Sequence, residues 1–260
     1  MGGFLLWRCV RTFLSVDQYT DLALYLLIGI LVGARLGFAL LYNLTWYIAH
    51  PMALVMPFDE VTGLWVGISG MSYYGGAVGV IIALCVFAWQ YKVSMWRVAD
   101  VVALCAPIGY FFGRLGNFVN GELFGRVTSA RFGMYFPNAM DAGESLRHPS
   151  QLYEAFGEGI VLGLMVAYVH QKSKQPGRTA AAYLIGYGII RFCVEFFREP
   201  DAWIGLTWQW MTLGQMLSAL FAVIGIFLWR VLSCEKICYN DSKQRRSYMR
   251  ILRQILKQIR

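Results

Sequence analysis

Stretches of about twenty mostly apolar residues recur along this chain, separated by short polar connections. A helix needs about 20 such residues to cross the hydrocarbon core of a bilayer. In that solvent only helices and closed barrels satisfy their own backbone groups. Six segments meet the requirement: 22–42, 73–91, 97–113, 151–170, 179–197 and 208–232. The expected fold is an all-α polytopic membrane protein, a bundle of about six transmembrane helices with a loop region on its outer face. Composition agrees, with 58% of residues hydrophobic and 15% charged, where soluble domains have about 45–50% and about 25%. Residues 1–232 are expected to form one transmembrane domain, followed by a basic cytoplasmic tail over 233–260.

Charge sets the expected orientation. Short inside segments hold Arg8 and Arg11, then Lys92 and Arg97, then Lys172, Lys174 and Arg178, and the tail adds eight more basic residues from Lys236 to Arg260. The opposite loops mix Arg126, Arg131 and Arg147 with Asp59, Glu60, Asp141, Glu144, Glu199 and Asp201. The positive-inside rule then puts both chain ends in the cytoplasm. The net charge of +8 sits beside membrane segments, where it meets anionic lipid, so no nucleic-acid partner is expected. Met1–Leu14 reads as a cytoplasmic or interfacial lead-in. The tail from Lys243 puts Ile251, Leu252, Ile255 and Ile259 on one helical face, which suits either a helix on the inner leaflet or a solvated tail. Trp46, Tyr47, Phe58 and Trp65 suit the headgroup layer. The six cysteines form no disulfide framework, and Cys234-x-x-x-Cys238 lacks the second pair that a zinc site needs. No zinc site is expected from this spacing.

Charges at membrane depth are costly and point to function. Arg35, Arg114, Glu154, Arg191 and Glu195 are the positions of this kind, with Arg198 close by. Arginines gathered near the outer leaflet would make an anion site, because the planar guanidinium grips phosphate with two donors and stays charged. The competing account is that each arginine pairs with a glutamate as structural glue, Arg191 with Glu195 at i, i+4 for example. The densest stretch is Gly113–Gly125, GRLGNFVNGELFG. It is expected where a helix ends and the outer loop begins, with its glycines permitting irregular backbone. Arg114, Asn117, Asn120 and Glu122 there offer a cation, two amides and a carboxylate.

That stretch resembles the signature of the bacterial prolipoprotein diacylglyceryl transferases at every fixed position: Gly-Arg, any, small, Asn-Phe, any, Asn, any, Glu, two of any, Gly. Other segments are similar to the family in the same order: Gly33-Ala34-Arg35-Leu36-Gly37 with Tyr42-Asn43, Gly70-Met71-Ser72 before Gly75-Gly76, His148–Glu154, Gly186-Tyr187-Gly188 with Arg191, and Glu195–Asp201. The resemblance covers roughly residues 15–232. It implies a cell-membrane enzyme that moves the diacylglyceryl group of phosphatidylglycerol to the lipobox cysteine thiol of prolipoprotein signal peptides. The product is a thioether, glycerol 1-phosphate leaves, and no metal or cofactor takes part. It further implies that Arg114, Arg191 and Tyr74 are catalytic. Arg114, Asn117, Asn120, Glu122, Gly125, Tyr187, Arg198, Gly75 and Gly76 would bind substrate.

Two departures accompany the resemblance. Where the family usually has histidine before Gly-Gly, this chain has Tyr74, and a phenol with reference pKa near 10 is a poor base at neutral pH. Either Tyr74 only hydrogen-bonds, or nearby arginines make it more acidic, or the base lies elsewhere, with His148 as the alternative imidazole. The family also typically has seven spans, and this chain reads as starting after the first. Two other classes remain expectations to test: a small anion transporter, and a relative that binds lipid or precursor without transfer.

Overall fold

The computed structural model describes residues 14–42, 44–55, 70–139, 141, 143–173, 175–199, 206–208 and 211–233. The lead-in over 1–13, the tail from 234, Phe58 and Trp65 lie outside the described residues. The main helices are α1 (Val16–Tyr42), α2 (Leu44–Ala49), α3 (Tyr73–Tyr91), α4 (Met95–Val119), α5 (Ser150–Lys172), α6 (Arg178–Val194) and α7 (Leu213–Ser233). A short antiparallel pair, Leu206–Trp208 with Met211–Thr212, precedes α7.

Among the described residues five helices are long and apolar enough to cross a membrane: α1, α3, α4, α5 and α7. The expected fifth span, 179–197, is a 17-residue helix that breaks into a turn at Glu195. At 1.5 Å per residue it is about 26 Å long, slightly less than the hydrocarbon thickness. Large apolar side chains such as Leu27, Ile28, Trp89, Leu164 and Phe227 face outward. In water that pattern is unfavourable, and in lipid it is the matched surface. The chain is a helical, polytopic membrane protein.

The described residues divide into two compact units, one ending at Ala99 and one beginning at Asp100. In the first, α1 packs on α3 along glycines. A Cβ at Gly79 would overlap the carbonyl oxygen of Gly29, and one at Gly75 would overlap that of Gly33. Without side chains at these points the backbones touch, and close contact replaces the hydrophobic drive that lipid cannot supply. The start of α1 precedes its apolar run because Ser15 and Gln18 form a capping box, Gln18 N donating to Ser15 Oγ at 3.3 Å and Ser15 N to Gln18 Oε1 at 3.0 Å. Near the same end of α1, Tyr91 at the carboxyl end of α3 donates its hydroxyl to Asp21.

In the second unit α6 packs against both α5 and α7. Leu162, Val166 and Tyr187 form the buried core, with Tyr110, Tyr183 and Phe221 against it. The amino end of α6 is capped from another helix: Asp100 of α4 accepts from Gly177 N at 2.7 Å and Ala180 N at 2.9 Å. Arg178 donates to Ser233 Oγ at 2.7 Å, with its guanidinium 4.5 Å from the Trp229 ring centre.

Candidate functional site

The signature stretch is more helical than its glycines suggest. Helix α4 runs on through Val119, and Asn120 N still bonds Gly116 O at 2.9 Å. Irregular backbone starts only after that. An interior glycine costs a helix about 1 kcal/mol, which the surrounding hydrogen bonds outweigh. The consequence is positional. Tyr110, Arg114 and Asn117, spaced by four and three residues, share one face of α4.

Helix α5 contributes the opposing acid. Its segment Ala155–Val161 is π-helical, an irregularity frequent at functional sites. Glu154 and Glu158 flank and occupy this segment, and both are fully buried. Three arginines converge on Glu154. Arg114 Nε lies 2.6 Å and Arg191 Nη1 3.0 Å from Glu154 Oε2, and Arg198 Nη1 lies 3.5 Å from Oε1. Tyr110 donates its hydroxyl to Glu154 Oε2 at 3.1 Å while accepting from Arg114 Nη2 at 2.8 Å. Arg191 also meets Glu195 at 2.8 Å and Glu158 at 3.7 Å, and Thr212 donates to the other Glu195 oxygen at 3.1 Å. The i, i+4 pair of Arg191 and Glu195 is thus formed, but as one edge of a larger cluster. Full burial of so many charges is tolerable only because each cation meets a carboxylate.

From this cluster the polar loop continues. Arg114 Nη1 donates to Asn117 Oδ1 at 3.3 Å, Asn117 Nδ2 to Glu122 Oε1 at 2.7 Å, and Asn120 Nδ2 to the same oxygen at 3.5 Å. Gln151 of α5 donates to the Glu122 carbonyl at 2.6 Å, and Ser150 to the Leu123 carbonyl at 3.2 Å. These bonds hold Leu123 at φ 57°, a left-handed conformation that costs a non-glycine residue roughly 1–2 kcal/mol. Gly125 pairs with Arg198 in an antiparallel bridge. A Cβ there would collide with the Phe197 carbonyl and lie 2.8 Å from His148 Cβ, so only glycine fits. Arg147 fixes the far side of the loop through Glu199 at 3.0 Å and Asp141 at 3.5 Å. A hydrogen bond from Ser145, with further help from Gly143 N–H and Arg147, holds the Asp141 carboxyl below its ordinary range.

The structure therefore brings Arg114, Arg191, Arg198, Asn117, Asn120, Glu122 and Gly125 into one connected network. Tyr187 lies at its base, 2% exposed, its ring 6.3 Å from that of Tyr110. This is a position in the buried core of the second unit. His148 sits in an aromatic box with Phe132, Tyr153 and Phe197, its Nδ1 3.2 Å from the Tyr153 hydroxyl. Tyr74, Gly75 and Gly76 belong to the other unit, in the first turn of α3. There Ser72 caps the helix by accepting from Gly75 N at 3.3 Å. Arg35 binds the carbonyls of Ala53, Leu54 and Gly70, a structural use of its charge. Among the described residues no cluster of His, Cys, Asp or Glu could hold a metal ion.

Residue type alone did not single out Tyr110, Glu158, Gln151 or Arg147. The signal for the first two was spacing: Tyr110 is four residues before Arg114, and Glu158 four after Glu154.

A family model described as prolipoprotein diacylglyceryl transferase matches residues 3–231. The chain is also similar to proteins named phosphatidylglycerol–prolipoprotein diacylglyceryl transferase. That of Chlorobaculum tepidum is 47% identical over 205 residues, covering 77% of this chain and 70% of the relative. That of Rickettsia felis is 44% identical over 249 residues, covering 94% and 88%. The Pseudoalteromonas translucida protein is 42% identical over 215 residues, covering 82% and 76%. The matched range contains every member of the arginine–glutamate cluster, and on this ground the chain belongs to the prolipoprotein diacylglyceryl transferase family.

Proposed function

We propose that this chain transfers the diacylglyceryl group of phosphatidylglycerol to the lipobox cysteine thiol of a prolipoprotein, the first step of bacterial lipoprotein maturation. The observation that carries the reading is the convergence of Arg114, Arg191 and Arg198 on Glu154 in a chain of this family. The cysteine thiol gives up its proton to the medium, and its sulfur attacks the glyceryl carbon that bears the phosphate ester. A carbon–sulfur bond forms, the carbon–oxygen bond breaks, and the electron pair leaves with glycerol 1-phosphate. Negative charge grows on the leaving phosphate oxygen. Arginines already fixed by Glu154, Glu158 and Glu195 meet that charge without reorganising, which is where preorganised donors act most strongly.

In this reading Arg114 and Arg191 hold the phosphate and Arg198 assists. Asn117, Asn120 and Glu122 orient the headgroup, Gly125 keeps the loop close to Arg198, and Tyr187 packs beneath the site. Tyr74 with Gly75 and Gly76 serves the thiol side. The protein lies in the bacterial inner membrane with its carboxyl terminus in the cytoplasm, an orientation supported by the basic residues of the short loops and the tail.

The test is transfer by the purified full chain in phosphatidylglycerol micelles with a lipobox peptide, read as glycerol phosphate release. Release that needs the peptide cysteine supports the reading. No release with a cysteine-containing peptide overturns it.

A further inference from the structure

The loop between α4 and α5 presents an unusual outer face. From Leu123 to Met140 it carries two arginines, Arg126 and Arg131, and no acidic residue. Part of its apolar content is turned inward: Phe136 is 4% exposed and stacks on Phe124 at 5.3 Å. The remainder is turned out. Val127, Phe132 and Tyr135 are 60–62% exposed and Met134 is 40% exposed, and Arg126 and Arg131 are exposed among them.

Single exposed apolar side chains are ordinary. This set is different because the loop's own bonding fixes it. Val127 and Met134 both bridge to Arg147, from opposite sides, and Arg147 is anchored by Asp141 and Glu199. The outward residues therefore form a fixed patch. Both ends of the segment continue into membrane-spanning helices, so the patch lies next to a bilayer surface. Aromatic and apolar side chains interleaved with arginine match the layered chemistry of that surface, apolar below and anionic above.

We propose that this face of the loop, residues 126–135, lies in the headgroup layer of an anionic leaflet. Phe132 and Tyr135 reach toward the acyl chains, and Arg131 with Arg126 meets lipid phosphates. The inference rests on the chain being membrane-embedded and not on its being a transferase. Its consequence is that the network from Arg114 to Gly125 is held at the depth of a lipid phosphate.

The experiment uses the full chain in nanodiscs, with native cysteines replaced and one environment-sensitive fluorophore at F132C or, as control, E144C. Glu144 is exposed on the same loop beyond the patch. In discs containing phosphatidylglycerol, spin-labelled lipid is expected to quench position 132 at least about twofold more than position 144, with aqueous iodide giving the reverse order. R131Q, and discs of phosphatidylcholine alone, are expected to reduce the lipid quenching at 132. Equal iodide access at both positions overturns the proposal. So does protection of position 132 that appears only when a lipobox peptide is added, because the face would then be a peptide surface. Lipid quenching that ignores both R131Q and phosphatidylglycerol overturns the anionic contact.

Discussion

Glu154 is the residue on which most of the site depends. Three arginines and a tyrosine hydroxyl meet its carboxylate. Removing one partner of a buried ion pair costs about 3–5 kcal/mol. Glu154→Gln, Arg114→Ala and Arg191→Ala are therefore all expected to lower thermal stability in detergent, and the two arginine variants, still inserted, to lose transfer by about 10²–10³-fold, the usual loss for a preorganised charge donor. Unimpaired transfer by both arginine variants would remove them from the assignment. Tyr74→Phe separates the thiol-side readings: retained transfer excludes the phenol as base. The importance of Arg114, Arg191 and Glu154 was legible in the sequence, because charge inside an apolar run is expensive and rarely without purpose. Their mutual arrangement was not. Arg114 and Glu154 are forty positions apart, and nothing in one-dimensional spacing says that Arg198 shares the same carboxylate.

Elements were legible where apolar runs decided them. The runs behind α1, α3, α4, α5 and α7 were all recognisable, and their ends moved where capping or packing took over, as with Ser15 at α1 and the continuation of α4 through Val119. The weak point was α6, whose end is set by the Glu195 turn and not by loss of hydropathy. The α1–α3 contact offers a sharp test. Gly79→Ala drives a methyl into the Gly29 carbonyl and is expected to cost about 1–3 kcal/mol, as overpacking does. Gly76→Ala meets Ala34 Cβ at 3.6 Å and Ile30 at 3.7–3.9 Å, all ordinary contacts, and should not lower the melting temperature in detergent. In the α4–α5 loop, Asp141 stabilises only while ionised. Its carboxyl titrates below the ordinary range, so the contribution is complete above the usual aspartate range and fades as pH falls through the lowered value. Protease cleavage within 120–149 should rise on acidification, and Asp141→Asn should remove that pH dependence.

At the scale of the whole molecule, the membrane class could be read from composition and from the repeated runs. The division into two compact units could not, since it falls inside α4, a continuous helix. Its boundary residue, Asp100, ties α4 to the amino end of α6, and Asp100→Ala strands one buried and one part-buried amide donor at about 1–3 kcal/mol. Unfolding of that variant should be easier without any change in the α1–α3 packing, which cysteine crosslinking between α1 and α3 can check.

The shortness of α6 bears on how the protein is made. A 17-residue segment that carries Arg191 in its last turn is a poor candidate for the translocation machinery to release into lipid by itself, since it is already short for a span and a buried charge there lowers its insertion further. Of the carboxylates that meet it, Glu195 follows directly on α6, while Glu154 and Glu158 arrive on α5, which is synthesised earlier. Biogenesis of this region should proceed by pairs, with α5 waiting at the exit site until α6 emerges and the two entering the bilayer as one neutralised hairpin.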